Sequence, residues 1–150
     1  MNKDKWPKIA DLTSDVILIR TSVNKEDNVL LIKRKNNPYK EMWALPGGFL
    51  EMSETFKDAA YRELEEETGL KSGVANLRFL CILDAVDRDP RGRTIDAVFM
   101  GSISEDQVID VKAGDDAAEA RWFSMDDLPS LAFDHNLAIK KAKEELGYYD

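Results

Sequence analysis

The chain has 150 residues, 43% of them hydrophobic and 33% charged, which suits one globular domain with a real core. Its net charge of −8 argues against non-specific nucleic-acid binding, which needs basic surface; an acidic protein acting on a phosphate-rich ligand needs cations between the two. One cysteine, Cys81, excludes an intrachain disulfide, no apolar run approaches the ~20 residues of a membrane span, and the opening M-N-K-D-K-W-P-K lacks the apolar region of a signal peptide, so the cytoplasm is the expected location.

Asp15 to Arg20 (D-V-I-L-I-R) reads as a buried strand, Asn24 to Asn28 as a polar turn, and Val29 to Lys33 as the returning strand of a hairpin. Asn36-Asn37-Pro38 opens a loop. Met42 to Leu45 is a short apolar segment that Pro46-Gly47-Gly48 breaks sharply, and adjacent glycines let backbone approach a ligand or metal closely. A helix follows, with Thr55 as N-cap, Asp58 as its capping-box partner and Gly69 as the stop; Phe56, Ala60, Tyr61 and Leu64 repeat at helical spacing toward a core.

Leu77 to Val86 and Thr94 to Ser102 read as long strands, with Cys81 a core residue of the first. Between them lies D-R-D-P-R-G-R, a turn with three arginines in an acidic chain; it is either a solvated hairpin tip or a source of bidentate phosphate contacts. Val108 to Val111 reads as a short strand, A-A-E-A-R-W-F as a strand ending at Phe123, and Ser124 to Pro129 as a turn. Asp134 is the expected N-cap of a last helix, His135 to Leu146, with Ala138, Ile139, Ala142 and Leu146 facing inward and His135 structural or capping. Strands and helices interleave without regular βαβ units, which predicts a mixed α/β or α+β domain with no internal repeat.

One helix face is chemically odd. Glu63, Glu66 and Glu67 stand at i, i+3 and i+4, neighbours about 5–6 Å apart, where two unit charges at an effective dielectric near 20 repel by roughly 3 kcal/mol. Arg62, adjacent in sequence, is expected to point elsewhere. Three such glutamates on their own are ordinarily a solvated face; the alternative is a site for a multivalent cation. The surroundings decide between them, because Gly48, Glu54, Arg62, Glu63, Leu64, Glu66, Glu67, Gly69 and Leu70 fill every fixed position of the pattern G-x5-E-x7-R-E-U-x-E-E-x-G-U, with U aliphatic. At ordinary residue frequencies a chance match is roughly one in a few billion per window.

That pattern is the Nudix box, and the chain is identified as a member of the Nudix family. Beyond the box, P-Y-K-E-M-W-A-L-P-G-G-F-L-E, D-R-D-P-R-G-R and D-D-A-A-E-A-R-W-F resemble the ADP-ribose pyrophosphatase branch, and also the Nudix portion of a bacterial regulator of NAD metabolism. The resemblance implies a mixed sheet sandwiched between helices and hydrolysis of a nucleoside diphosphate linked to another group, ADP-ribose giving AMP and ribose 5-phosphate. It implies Mg²⁺ or Mn²⁺ held by Glu66 and Glu67, with Glu63 as a ligand or a water-orienting group and the Gly48 carbonyl completing the sphere. Glu54 and Arg62 would form an ion pair tying loop to helix. The general base would be Asp115, Asp116 or Glu119 on a late segment, or a carboxylate of the box. Arg34, Arg88, Arg91 and Arg93 are the candidates for phosphate or terminal ribose, and Trp43 and Phe49 for adenine. Two other functions share these motifs: a non-catalytic ADP-ribose sensor, and a hydrolase that removes damaged nucleoside triphosphates. The box keeps every carboxylate, and little chain follows the last helix for a DNA-binding domain, so an enzyme is expected. A homodimer is the expected assembly, because family members of this type often pair across their substrate sites.

Overall fold

The computed structural model describes residues 6–21, 26–104, 112–114 and 117–148. Seven strands form one mixed sheet: β1 (Asp11–Thr21), β2 (Asp27–Arg34), β3 (Trp43–Ala44), β4 (Gly47–Phe49), β5 (Arg78–Leu83), β6 (Thr94–Ser104) and β7 (Ala117–Ser124). β1 and β6 run parallel over their whole length, from Asp11 opposite Thr94 to Thr21 opposite Ser104. Every other pairing between these seven strands is antiparallel.

The hairpin of β1 and β2 creates the site by splitting. The two strands pair only at Ile19–Thr21 and Asp27–Val29. Below that, the same edge of β1 is taken by β4, through Thr13–Asp15, and the same edge of β2 by β3, through Ile32 and Lys33. Residues 43–49 therefore wedge into the mouth of the hairpin, with Pro46 at the apex, where its carbonyl accepts the Val16 N–H at 2.8 Å. Proline suits that corner because it has no N–H to leave unpaired.

Strand alternation distributes the core to both faces. Val16, Leu18, Leu30, Ala97 and Phe99 pack under α1 (Phe56–Thr68) with Ala60, Leu64 and Leu70. Ile17, Ile19, Leu31, Val98 and Met100 pack under α2 (His135–Glu145) with Ala138, Ile139 and Ala142. A sheet sandwiched between helices is thus the observed architecture, and each fully buried aliphatic side chain contributes about 2 kcal/mol.

The ends of α1 form as expected. The Thr55 hydroxyl accepts the Asp58 N–H at 3.0 Å, Asp58 Oδ2 accepts the Thr55 N–H at 3.1 Å, and Gly69 stops the helix at φ 81°. Other expectations are corrected. β1 begins at Asp11 rather than Asp15, and β5 ends at Leu83, short of Val86. Gly47-Gly48 is not a plain break but the start of β4. Asp134 makes no capping bond, because Arg88 holds its carboxylate. Leu146 is exposed: Gly147 at φ 81° turns the chain so that Tyr148 packs on the core instead, its hydroxyl donating to Asp27 Oδ2 at 2.8 Å. The strand expected at Val108–Val111 lies outside the described residues.

Candidate active site

The strand β4 and the helix α1 meet through bare backbone. The Gly47 N–H donates to Glu67 Oε2 at 3.0 Å. A Cβ at Gly48 would lie 2.6 Å from Glu63 Oε1, so only glycine lets that carboxylate and the strand share the space. Glu63 and Glu67 are buried, and Glu66, one turn along, has its side chain 55% exposed.

Arg62 corrects the expectation that it points away. Its Nε donates to Glu54 Oε2 at 2.7 Å and its Nη2 to Glu54 Oε1 at 2.8 Å. Nη2 also reaches the Phe49 carbonyl at 2.9 Å, while Nη1 reaches Glu63 Oε1 at 2.7 Å and Glu66 Oε2 at 3.1 Å. Sequence adjacency fixes where Cβ points, but the long arginine stem carries its fork back across the helix face. One guanidinium thus relieves the repulsion and ties the box loop to the helix. Bonding to Glu54 holds the Arg62 pKa above its ordinary value and the Glu54 carboxyl below its own.

A cleft of about 430 Å³ opens beside this junction, lined by Gly48, Phe49, Arg62, Glu63 and Glu67 on one side and Arg34, Arg88, Asp89, Arg91 and Phe133 on the other. Asp89 grips Arg91 with two bonds, at 3.1 and 2.8 Å, and the guanidinium stands 5.0 Å from the Phe49 ring and 5.6 Å from Phe133. Arg34 lies 5.0 Å from the Phe133 ring on its other contact and donates to the Pro38 carbonyl at 2.7 Å. Burial pulls its pKa below the ordinary arginine value, from a height that leaves it charged.

The floor of the cleft is a buried polar knot. Arg88 Nε and Nη2 fork onto Asp134, with Nη2 to Oδ1 at 2.8 Å, and Nη1 donates to Thr94 at 2.6 Å. His135 Nδ1 accepts the Leu45 N–H at 3.1 Å, so its proton sits on Nε2, 3.2 Å from Asp15 Oδ2. Asp96 accepts from Thr13 at 2.9 Å through Oδ1, while its buried Oδ2 makes no hydrogen bond and lies 3.7 Å from Arg88 Nη2. Burial drives the titrations: Asp15 is raised to about 6, Asp96 is raised well above the usual carboxyl range, and His135 is lowered to about 4. Asp15, Asp96 and His135 each present a polar atom within 4.8 Å of the others. With Nδ1 spent on Leu45 and hydrogen on Nε2, the imidazole has no lone pair to offer a cation there. A proton on Asp96 Oδ2, shared with the neighbouring Asp15, accounts for the pair.

Residues 12–146 match the NUDIX domain. The chain belongs to the Nudix family. It is 49% identical over 118 residues to the ADP-ribose pyrophosphatase of Methanocaldococcus jannaschii, covering 79% of this chain and 67% of that protein. Among solved structures, a MutT/nudix family protein from Enterococcus faecalis superposes with a TM-score of 0.85 at 31% identity, over 94% of this chain and 63% of that one. The Nudix domain of Shewanella oneidensis NrtR, crystallised with ADP-ribose, superposes with a TM-score of 0.84 at 26% identity, over 97% and 94%.

Against this Nudix frame the expected site residues divide. Gly48, Glu54, Arg62, Glu63, Glu66 and Glu67 come together at the junction. Phe49, Arg34 and Arg91 stand on the cleft. Arg88 also borders it, with its guanidinium committed to Asp134 and Thr94. Trp43 packs edge-on to Phe123 at 4.7 Å under α2, Glu119 pairs with Arg121 on β7, and Arg93 is exposed; none of the three lines the cleft. Asp115 and Asp116 lie outside the described residues. Sequence reasoning missed Asp15, Asp96 and Phe133. A carboxylate in the middle of an apolar strand, as in T-S-D-V-I-L and T-I-D-A-V-F, was the available signal for the first two.

Proposed function

We propose that the protein is a divalent-cation-dependent Nudix pyrophosphohydrolase whose substrate is ADP-ribose, cleaved by water to AMP and ribose 5-phosphate. The observation that carries this reading is the β4–α1 junction, where glutamate carboxylates converge on bare glycine backbone at the edge of a cleft walled by arginines. Likeness to the M. jannaschii enzyme and to the ADP-ribose-bound domain supports the substrate.

The donor set fits a hard cation: Glu63, Glu66 and Glu67 offer only oxygen, and the missing Cβ at Gly48 leaves its backbone open beside Glu63. Mg²⁺ or Mn²⁺ bound there would supply charge neutralisation for the pyrophosphate and acidify the attacking water. The chain's own residues do the rest. Arg62 holds Glu63 and Glu66 in register and fastens Glu54 to the helix. Arg34 and Arg91 face the cleft as phosphate or ribose contacts, and Phe49 offers an apolar face to the adenine. The general base belongs to the segment after Gly114. That glycine donates to the Glu67 carbonyl at 2.9 Å, Lys112 donates to the Thr68 carbonyl at 2.8 Å, and a Cβ on Gly114 would run into the Glu66 carbonyl. Asp115 and Asp116 follow directly.

The protein works in the cytoplasm and pairs as a homodimer through the apolar rim next to the cleft, where Leu12, Phe49 and Met52 are exposed. Light scattering that returns a monomer at micromolar concentration would remove the dimer. The substrate is tested by measuring AMP release from ADP-ribose beside NADH, diadenosine polyphosphates, sugar nucleotides and oxidised triphosphates, each with and without Mg²⁺. ADP-ribose should have the highest kcat/KM. Faster cleavage of an oxidised triphosphate would reassign the substrate, and tight ADP-ribose binding without turnover in either Mg²⁺ or Mn²⁺ would make the protein a sensor.

A further inference from the structure

Asp15 stands between the start of α2 and the strand β4. On one side it faces the start of α2, where His135 Nε2 lies 3.2 Å from its Oδ2. On the other it presses on β4: the atom nearest to a Cβ built at Gly47 is Asp15 Oδ1, closer than any side chain tolerates, and Asp15 is the register partner of Gly47. The N–H of that same Gly47 donates to Glu67 Oε2 at 3.0 Å, and at Gly48 the crowding comes from Glu63. β4 is therefore held between Asp15 below and two glutamates of α1 above, with no slack on either side.

What sets Asp15 itself is not the apolar core. His135 is 4% exposed and anchored from behind by the Leu45 N–H, two residues before Gly47, so one imidazole reads the backbone entering β4 and fixes the carboxylate under it. Asp96, 0% exposed, closes the other flank of Asp15. Neither His135 nor Asp96 belongs to the sequence pattern that marks the glutamates.

We propose that His135 is a positioning residue: by holding Asp15 against Gly47 it fixes the spacing of β4 from Glu63 and Glu67, and so sets the affinity of those glutamates for a divalent cation. This rests on the reading of the glutamates as cation ligands given above. The effect passes through one short polar contact, His135 Nε2 to Asp15 Oδ2 at 3.2 Å, and one backbone contact, which makes it separable from a general role in folding.

Asparagine and glutamine divide the two functions of the imidazole. An Asn amide oxygen falls near Nδ1 and keeps the Leu45 bond while losing the donor to Asp15. A Gln amide nitrogen falls near Nε2 and keeps that donor while losing the acceptor. Mn²⁺ titration followed by electron paramagnetic resonance, without nucleotide, reads the free ion directly. His135→Asn should weaken Mn²⁺ binding at least tenfold, and His135→Gln should restore it to within about threefold of the unaltered protein. Equal affinities in all three folded proteins, or equal losses in both variants, would overturn the proposal. If His135→Asn does not fold, Asp15→Ala carries the same test, because it removes the buttress while relieving a knot of carboxyls; Mn²⁺ affinity should again fall tenfold, and an unchanged value overturns the link. Glu67→Gln serves as the reference. Should it bind Mn²⁺ normally, the cation reading fails and takes this inference with it. Should it lose Mn²⁺ while His135→Asn keeps it, the positioning inference alone is wrong.

Discussion

Two acidic knots lie within one protein and obey opposite rules. The knot on α1 is built from a single stretch of chain, Gly48 to Glu67, and keeps one edge in solvent. One guanidinium reaches Glu54, Glu63 and Glu66 together, and its bond to Glu54 holds that carboxyl below its ordinary value. The knot under the cleft is assembled from β1, β6, the β5–β6 loop and the start of α2, and is buried. There burial outweighs the nearby Arg88, and Asp15 and Asp96 titrate high. Carboxylates that are to grip a cation, the role proposed for those of α1, must stay charged and reachable. Carboxylates meant to brace a backbone do better with a shared proton, because a buried charge pair rarely repays its desolvation.

The largest expected effect breaks the first knot. Glu67→Gln keeps the size of the side chain and its acceptor for the Gly47 N–H, but removes the charge, so turnover should fall at least ~100-fold, since one cation ligand is worth several kcal/mol in the transition state. Near-normal turnover in a steady-state assay would show that this carboxylate does not serve the chemistry. Gly48→Ala tests the same knot from the strand side. The new Cβ would sit 2.6 Å from Glu63 Oε1, and the carboxylate must swing away to admit it. Mn²⁺ affinity measured by calorimetry should drop by about tenfold or more with the fold intact by circular dichroism; an unchanged isotherm would mean that Glu63 has room the geometry denies it.

A smaller effect separates charge from shape. Arg62→Lys retains the cation but cannot fork to Glu54 while also reaching Glu63 and Glu66. Losing one or two charge-assisted bonds at a side chain 21% exposed costs about 2 kcal/mol, or about 6 °C in Tm for a chain of this size. A melting temperature within a degree of the unaltered protein would show that charge alone holds the loop.

The same contrast explains what was legible beforehand. The α1 knot could be read because its members are close in sequence, its helix carries a capping box and a glycine stop, and each apolar position repeats at the helical period. Thr55, Asp58, Ala60, Leu64 and Gly69 all do what local chemistry dictates. Arg62 was misread because spacing predicts a face, not the reach of a long side chain. The second knot was illegible for a different reason. Asp15 and Asp96 are 81 positions apart in number, and only the parallel pairing of β1 with β6, a non-local contact, brings their strands together. Arg88 was visible as part of an arginine-rich turn, but its partner Asp134 could be found only by folding the chain, and Asp134 had already been assigned to a cap. Phe133 gave no periodic signal at all; it sits at φ 53° just before α2, and its importance comes from the Arg34 and Arg91 guanidinia on its ring.

The buried knot makes the subtlest prediction, a cancellation. Asp15 has its carboxyl raised from an ordinary 3.8 to about 6, so the folded protein binds the proton more tightly than the unfolded chain; the stability this gives is complete below pH ~4 and is lost as pH rises through about 6. His135 is lowered from 6.5 to about 4, so the unfolded chain binds its proton more tightly; stability is lost as pH falls from 6.5 through about 4. Each leg amounts to something on the order of 3 kcal/mol, with opposite sign over nearly the same window. From these two groups alone the denaturation midpoint should be almost flat between pH 4 and 6.5. Asp15→Asn removes the falling leg, so its stability should climb across that range relative to the unaltered protein. His135→Asn removes the rising leg, so its stability should decline instead. The quantity to follow is the difference in midpoint between each variant and the parent at matched pH, which subtracts the surface carboxylates common to all three. Parallel pH profiles would mean that Asp15 and His135 titrate together as one unit, and that the brace beneath β4 moves its proton within itself rather than exchanging it with solvent.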